Sequence, residues 1–334
     1  MTQQNQSVKL DILKTLLSLD GPAGASRITD RLLSSGADLQ PRTIRYYLLQ
    51  MDREGLTRFV SRRRGREITD RGRAELAHAN VLEKVGFISS KIDSLGYRMS
   101  FSLGTGQGTL IANVSTIHKS YLLRALEDMK PVFSRRLGMG SRIAVAREGQ
   151  TLGGCVVPRD SVAFGTVCSV TVNGILLDEG IPVVSRFGGL MEIRDGKPIR
   201  FVELIEYQGT SIDPLEFFIK ANMTRVRECA RSGSGLIGAS FREIPAAAID
   251  DVHRIRKDME KYGLGGILAI GRPGQSLFDI PVAAGRAGMV VTGGMNPVAA
   301  IHETGARITI QSLAGLDDFK AFRSFQELRD RYPG

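Results

Sequence analysis

Two clusters of side chains in this 334-residue chain have the types and spacing to recognise a polyanion. The first is Arg42, Thr43, Arg45, Tyr46 and Gln50, within LQPRTIRYYLLQMDREG at 39–55. On one face of a short helix, such donors suit the major groove of DNA. The second is Arg62, Arg63, Arg64 and Arg66 around Gly65. At the tip of a hairpin they would neutralise backbone phosphate or enter the minor groove. Further along, Arg186 with Gly188 and Gly189, and Arg286 with Gly293 and Gly294, have the makings of a small-anion site. Paired glycines can offer backbone N–H groups, and a guanidinium can grip a carboxylate bidentately. His302, between an apolar run and the turn Glu303-Thr304-Gly305, is the better functional candidate among the histidines. His118 and His253 read as structural.

These residues need elements to hold them. Over 39–55, Ile44, Tyr47, Leu48 and Met51 form one apolar stripe at helical spacing, flanked by Leu49. Pro41 suits the first helical position and Gly55 the end. Ahead of it, Val8–Leu19 predicts a helix broken by Asp20-Gly21-Pro22. A second helix over 27–34 takes Ser26 as its cap, and Gly36 and Asp38 make the next turn. Leu56–Val60 and Arg66–Thr69 predict two strands around the arginine loop. Asp70 then caps a fourth helix over 71–79. Three helices followed by a basic-tipped hairpin make a winged helix-turn-helix over residues 1–80, mostly α with a β-hairpin wing. Charge agrees: the whole chain carries +10, and residues 1–80 hold 14 Lys/Arg against 9 Asp/Glu.

Residues 81–100 predict a helical connector carrying Val81, Val85, Ile88 and Ile92, with Gly86 and Gly96 as interruptions. From Phe101 the period shifts to strands around Gly104–Gly108, a turn without the Gly-Lys-Ser/Thr of a phosphate loop. Ile117–Asp128 predicts a helix ended by Met129-Lys130-Pro131. Further helices are expected over 214–221, 247–262 and 316–330, and strands over 141–146, 199–207, 235–241 and 307–310. An internal repeat stands out. Gly165–Val170 can be laid on Gly265–Ile270, Ile181-Pro182-Val183 on Ile280-Pro281-Val282, and Leu190–Ile193 on Met289–Thr292. Residues 101–334 are therefore expected to form a mixed α/β sensing region of two related half-units, about 138–230 and 234–334.

Several function classes are set aside. Cys155, Cys168 and Cys229 lack the spacing of a zinc site and cannot build a disulfide framework. No nucleophile elbow, Walker motif, dinucleotide fingerprint or metal triad is present. No catalytic residue, metal or cofactor is expected, and the chain reads as a non-enzyme. With no 18-residue apolar run and no signal-type start, a cytoplasmic protein without membrane contact is expected.

The succession of RTIRYYL, FSLGTGQGT, GMGSRIAV and GGMNPVAAIHETG along essentially the whole chain resembles the NrpR family of nitrogen-regulatory repressors. That resemblance implies a helix-turn-helix over 26–55 and a wing over 56–69. It also implies a homodimer on an inverted-repeat operator in double-stranded DNA, contact with the transcription machinery, repression of nitrogen-assimilation genes, and release by 2-oxoglutarate or a similar small carboxylate effector. The alternatives are an enzyme with an autoregulatory DNA-binding domain and a regulator answering another effector.

Overall fold

The structure is a computed structural model that describes residues 3–19, 21–34, 39–79 and 87–331. It divides into two compact units, 1–84 and 85–334. The expected features at Asp20, Gly36, Asp38, Val81, Val85 and Gly86 lie outside the described residues.

The first unit is helical with a small sheet. Its elements are α1 (Gln3–Ser18), α2 (Ala25–Ser34), α3 (Pro41–Arg53), β1 (Thr57–Ser61), β2 (Gly65–Ile68) and α4 (Asp70–Ala79). Ile12, Leu13 and Leu16 of α1 meet Ile28 and Leu32 of α2 and Ile44, Leu48 and Met51 of α3 in one core. β1 and β2 pair antiparallel. Ala23 adds a third rung: its N–H donates to Arg66 O at 2.8 Å, and Arg66 N–H donates to Ala23 O at 3.0 Å. Two caps differ from expectation. α2 starts at Ala25, so Ser26 lies in its first turn. α4 starts at Asp70, and the hydroxyl accepting from its first turn (Gly72 N–H, 3.0 Å) is that of Thr69. Thr69 also donates to Gly55 O at 2.7 Å, a second anchor that an aspartate could not provide.

The described residues of the second unit begin with α5 (Phe87–Arg98). The expected connector is instead part of this unit, because Ile88, Ile92 and Leu95 pack on Ile111, Cys168, Tyr207 and Leu313. Then follow β3 (Thr109–His118), α6 (Leu122–Ser134), β4 (Arg142–Arg147), the small hairpin β5 (Thr151–Leu152) and β6 (Cys155–Val156), β7 (Ser161–Val167), α7 (Thr171–Asp178), β8 (Val184–Arg194) and β9 (Lys197–Glu206). After α8 (Pro214–Lys220) and α9 (Val226–Ser232), the order recurs: β10 (Gly235–Pro245), α10 (Ile249–Lys261), β11 (Ile267–Ile270), β12 (Arg286–Thr292), α11 (Asn296–His302) and β13 (Ile308–Asp318), closed by β14 (Arg323–Ser324) and α12 (Phe325–Arg331).

Two five-stranded sheets result, in the orders β13-β3-β7-β4-β14 and β11-β12-β10-β8-β9. Neighbouring strands are antiparallel throughout. In each half the order strand, helix, strand, strand, helix, strand is kept, but the last strand crosses over. β8 pairs with β10 of the other half, and β13 pairs with β3. Two shared cores follow from the alternation of strand side chains. One gathers α6, α8, α9, α11 and α12 against faces of both sheets; the other gathers α7 and α10 against the opposite faces.

The halves are related, but not in the expected register. Gly165–Val167 ends β7, whose counterpart in element order is β12, whereas Ile267–Ile270 is β11, the counterpart of β4. Ile181-Pro182-Val183 leads into β8, while Ile280 sits in a tight turn bridged to Leu277 between β11 and β12. The first half therefore begins at β3, well before residue 138. Three boundaries also move. His118 ends a strand, with the first turn of α6 beginning at Leu122. α6 continues past Pro131, because Met129 and Val132 both bury. Leu316–Asp318 belongs to β13, and the last helix starts only at Phe325.

Candidate nucleic-acid interface and ligand-sensing core

On α3 the buried positions are Ile44, Leu48 and Met51. The opposite side carries Arg42, Arg45, Tyr46, Leu49 and Arg53, all exposed and spaced at three and four residues. Thr43 and Gln50 are half-buried at the edges of that face. Tyr46 is 59% exposed and touches Tyr47 edge-on, with centroids 5.5 Å apart, while Tyr47 itself packs against the core. Leu49, expected to flank the buried stripe, is 54% exposed. It and Arg53 are the two members of the outer face that sequence reasoning missed. Helical spacing alone places both with Arg42 and Tyr46.

The wing tip presents Arg62, Arg63 and Arg64 to solvent. The Ser61 hydroxyl shapes the turn by accepting from Arg64 N–H at 3.0 Å. Arg66 does not join them. Its Nε lies 2.6 Å from Asp52 Oδ2, with both side chains largely buried, and its guanidinium lies over the Phe59 ring. The other Asp52 oxygen accepts from the Thr57 hydroxyl at 2.6 Å. One carboxylate at the end of α3 thus ties the helix to both strands of the wing. Glu54, two residues on, binds Lys9 of α1 at 2.6 Å. Arg66 is a strut that fixes the angle between helix and wing.

In the second unit the expected anion-binding residues are scattered, with one exception. Arg186 and Arg286 do converge, but on a carboxylate of the chain itself. Glu243 of β10, its side chain 5% exposed, takes Arg186 from β8 on one side and Arg286 (Nε to Oε2, 3.9 Å) from β12 on the other. Gly188 and Gly189 lie in the middle of β8, between β9 and β10, so the ladders use their backbone. They are small for packing: a Cβ on Gly188 would stand 2.8 Å from Pro214, and one on Gly189 2.3 Å from Glu203 O. Gly293 donates to Gly238 O at 2.7 Å, and a Cβ on Gly294 would lie 2.0 Å from Val167 O. Both make the close turn from β12 into α11. His302 ends α11, half-buried, and its Nδ1 has no partner among the described residues. The paired glycines and the arginines are thus not gathered into one cradle: Gly188 and Gly189 are engaged in the sheet, Gly293 N–H is used by Gly238, and Arg186 and Arg286 meet at Glu243, with Arg286 Nη1 buried and without a partner among the described residues.

Other buried polar residues hold the two halves together. Asn296 accepts from Gly238 N–H at 2.9 Å and donates to Leu137 O at 2.7 Å, linking α11 to β10 and to the segment that follows α6. Asn113 of β3 accepts from Leu313 N–H of β13 at 3.1 Å. Asp213 caps α8 by accepting from Leu215 and Glu216 N–H, both at 3.0 Å, and burial pushes its carboxyl up to about 6. Among the described residues no group of three His, Cys, Asp or Glu could hold a metal ion, and no helix is long and apolar enough to cross a membrane.

Models of known families match these two units separately. A family of NrpR regulatory domains, NRD1 and 2, matches residues 85–324, nearly the whole second unit. The chain belongs to the NrpR family. The winged-helix domain of ribonuclease R matches residues 10–76 of the same NrpR-family chain. A global nitrogen regulator NrpRI of Methanosarcina mazei is 32% identical over 323 residues, covering 97% of this chain and 99% of the relative. A global nitrogen regulator NrpR of Methanococcus maripaludis is 28% identical, covering 95% of this chain but 55% of its own length. The crystal structure of a nitrogen repressor-like protein from Methanococcus jannaschii superposes with a TM-score of 0.59 at 27% identity, over 71% of this chain and 97% of that one. The relatives are named as regulators, and this NrpR-family chain is a regulator rather than an enzyme.

Proposed function

We propose that this protein is a cytoplasmic, dimeric repressor of nitrogen-assimilation genes. Two copies of α3 read the half-sites of an inverted repeat in double-stranded DNA, and the wings hold the flanking backbone. Arg42, Arg45, Tyr46, Leu49 and Arg53 face the bases, with Thr43 and Gln50 at the edge of the contact. Arg62, Arg63 and Arg64 face phosphate. The second unit binds a small carboxylate, 2-oxoglutarate or a close analogue, better in the DNA-incompetent arrangement than in the competent one. That difference in affinity is what releases the operator.

The observation that carries this reading is the outer face of α3, cationic and aromatic, held to the arginine wing through Asp52. The test is fluorescence anisotropy on promoter duplexes of nitrogen-assimilation genes at fixed salt, with and without 2-oxoglutarate. The expected result is specific binding that 2-oxoglutarate weakens. Changing Arg62, Arg63 and Arg64 together to Ala should weaken all duplexes alike and flatten the salt dependence, by about one unit of slope for each phosphate no longer neutralised. Failure to distinguish promoter from random duplex at low salt would sink the DNA-binding reading. Specific binding indifferent to 2-oxoglutarate would sink the effector alone.

A further inference from the structure

Arg242, in the middle of β10, is the largest fully buried side chain among the described residues, 1% exposed. It has no carboxylate partner among them. Nη1 donates to Asn173 Oδ1, Nη2 reaches the Ser240 hydroxyl at 3.3 Å, and Nε has no partner. The acids nearby are committed elsewhere. Glu243 faces the other side of the sheet, held by Arg186 and Arg286. Asp213 accepts from the first turn of α8. Burial keeps Tyr207 and Cys168 protonated, pushing the Cys168 thiol up to about 12. The guanidinium is itself lowered only to about 10, so it stays charged. A charge taken out of water without a counter-charge is strongly disfavoured. The surrounding groups are neutral and polar: Asn173, whose amide also donates to the Ser185 hydroxyl at 3.0 Å, with Ser240 and Tyr207. Gly188 lets the Tyr207 hydroxyl approach the sheet closely, since a Cβ on it would stand 3.0 Å from that hydroxyl.

We propose that Arg242 is the anchor for one carboxylate of a small organic acid, bound beneath α5 with Ser240, Tyr207 and Asn173 completing the cradle. This rests on the reading of the second unit as an effector sensor. A planar guanidinium matches a carboxylate in shape and charge. One cation among neutral donors balances a single negative charge, and the adjoining apolar cluster of Ile111, Cys168 and Val170 suits a carbon chain better than phosphate. The cradle is closed, so a ligand enters only by displacing its wall. That wall is α7, which carries Asn173 and meets α5 at close range: a Cβ on Gly174 would lie 2.5 Å from Met99 and 3.2 Å from Gly96 O. Filling the site therefore presses on α5, the first helix among the described residues of the unit.

The test uses the full chain and its Arg242→Met and Arg242→Lys variants. Thermal unfolding and calorimetric titration are run with 2-oxoglutarate, succinate and inorganic phosphate at constant ionic strength. The wild type is expected to gain several degrees in Tm with the carboxylates and not with phosphate. Arg242→Met should melt higher than wild type without ligand, since the unpaired charge is gone. It should lose the carboxylate response at least tenfold while still binding operator. If the Met variant does not fold, Arg242→Lys carries the test, with carboxylate affinity expected to fall about tenfold. A carboxylate response unchanged in either folded variant overturns the site and leaves the sensor reading standing. A response to phosphate alone overturns the carboxylate assignment, and no response of the wild type to any carboxylate overturns both.

Discussion

Leu49 shows what a single exposed apolar residue can do on a reading face. It stands between Tyr46 and Arg53 on the outside of α3, where water gains nothing from it. In a major groove its natural partner is the thymine methyl group. Replacing the thymines of a bound promoter site with uracil, which removes only that methyl, should weaken the wild type by about 1 kcal/mol per contacted base. Leu49→Ala should bind the thymine duplex about as weakly and show no further weakening on the uracil duplex, as read by competition anisotropy. A wild type indifferent to uracil would exclude this contact. The same residue shows where sequence reading runs out. The stripe of Ile44, Leu48 and Met51 is legible, because three apolar letters at helical spacing predict their own burial. An apolar letter on the opposite face looks like part of the same stripe until the helix is seen in place. Glu243 is a second case. Arg186 and Arg286 are visible in the sequence as a charged pair, but the carboxylate they share lies on a strand between theirs, and only strand order reveals that.

At the scale of elements, the wing depends on a backbone approach rather than on side chains. Gly65 has φ +87°, and a Cβ there would stand 2.2 Å from Ala23 O. Gly65→Ala therefore combines strain at positive φ with a clash against backbone that has no room to move. The expected cost is on the order of 2–4 kcal/mol to the first unit. Operator binding should be lost at 37 °C, while the second unit keeps its own melting transition in calorimetry. A variant with unchanged first-unit stability would show that the Ala23 rung is dispensable. The existence of the wing is readable from four arginines around a glycine between two apolar runs. The third rung is not, because a single residue between helices carries no strand pattern. α5 escapes sequence reading for a related reason: an isolated amphipathic helix looks like a connector, and what makes it part of the second unit is the distant surface of Ile111, Tyr207 and Leu313.

For the whole molecule, the exchange of β8 and β13 between halves decides how the second unit unfolds. Neither half contains a complete sheet. Residues 85–208 lack β13 and β14 for the first sheet, and 209–334 lack β8 and β9 for the second. Cleaving the exposed turn at Gly209 should give fragments that are each unfolded alone by circular dichroism, yet recover the native spectrum when refolded together. Either fragment folding alone would contradict the exchange. The repeat itself is legible as recurring glycines and apolar runs, although its register is not. Repetition in sequence reports which elements recur, whereas pairing is settled by which edges are left open, and no local pattern encodes that.

The close approach of Gly96 to Gly174 also sets how finely this protein can be tuned. Gly174 leaves a notch that the Met99 side chain fills in front of Gly96 O, so a larger residue there acts as a brake on sliding. Substituting Ala at Gly174 would push Met99 aside and stiffen the joint while leaving the residues of α3 as they are. If the second unit senses a ligand as proposed, variation at such a position would shift the concentration it answers without changing any DNA contact.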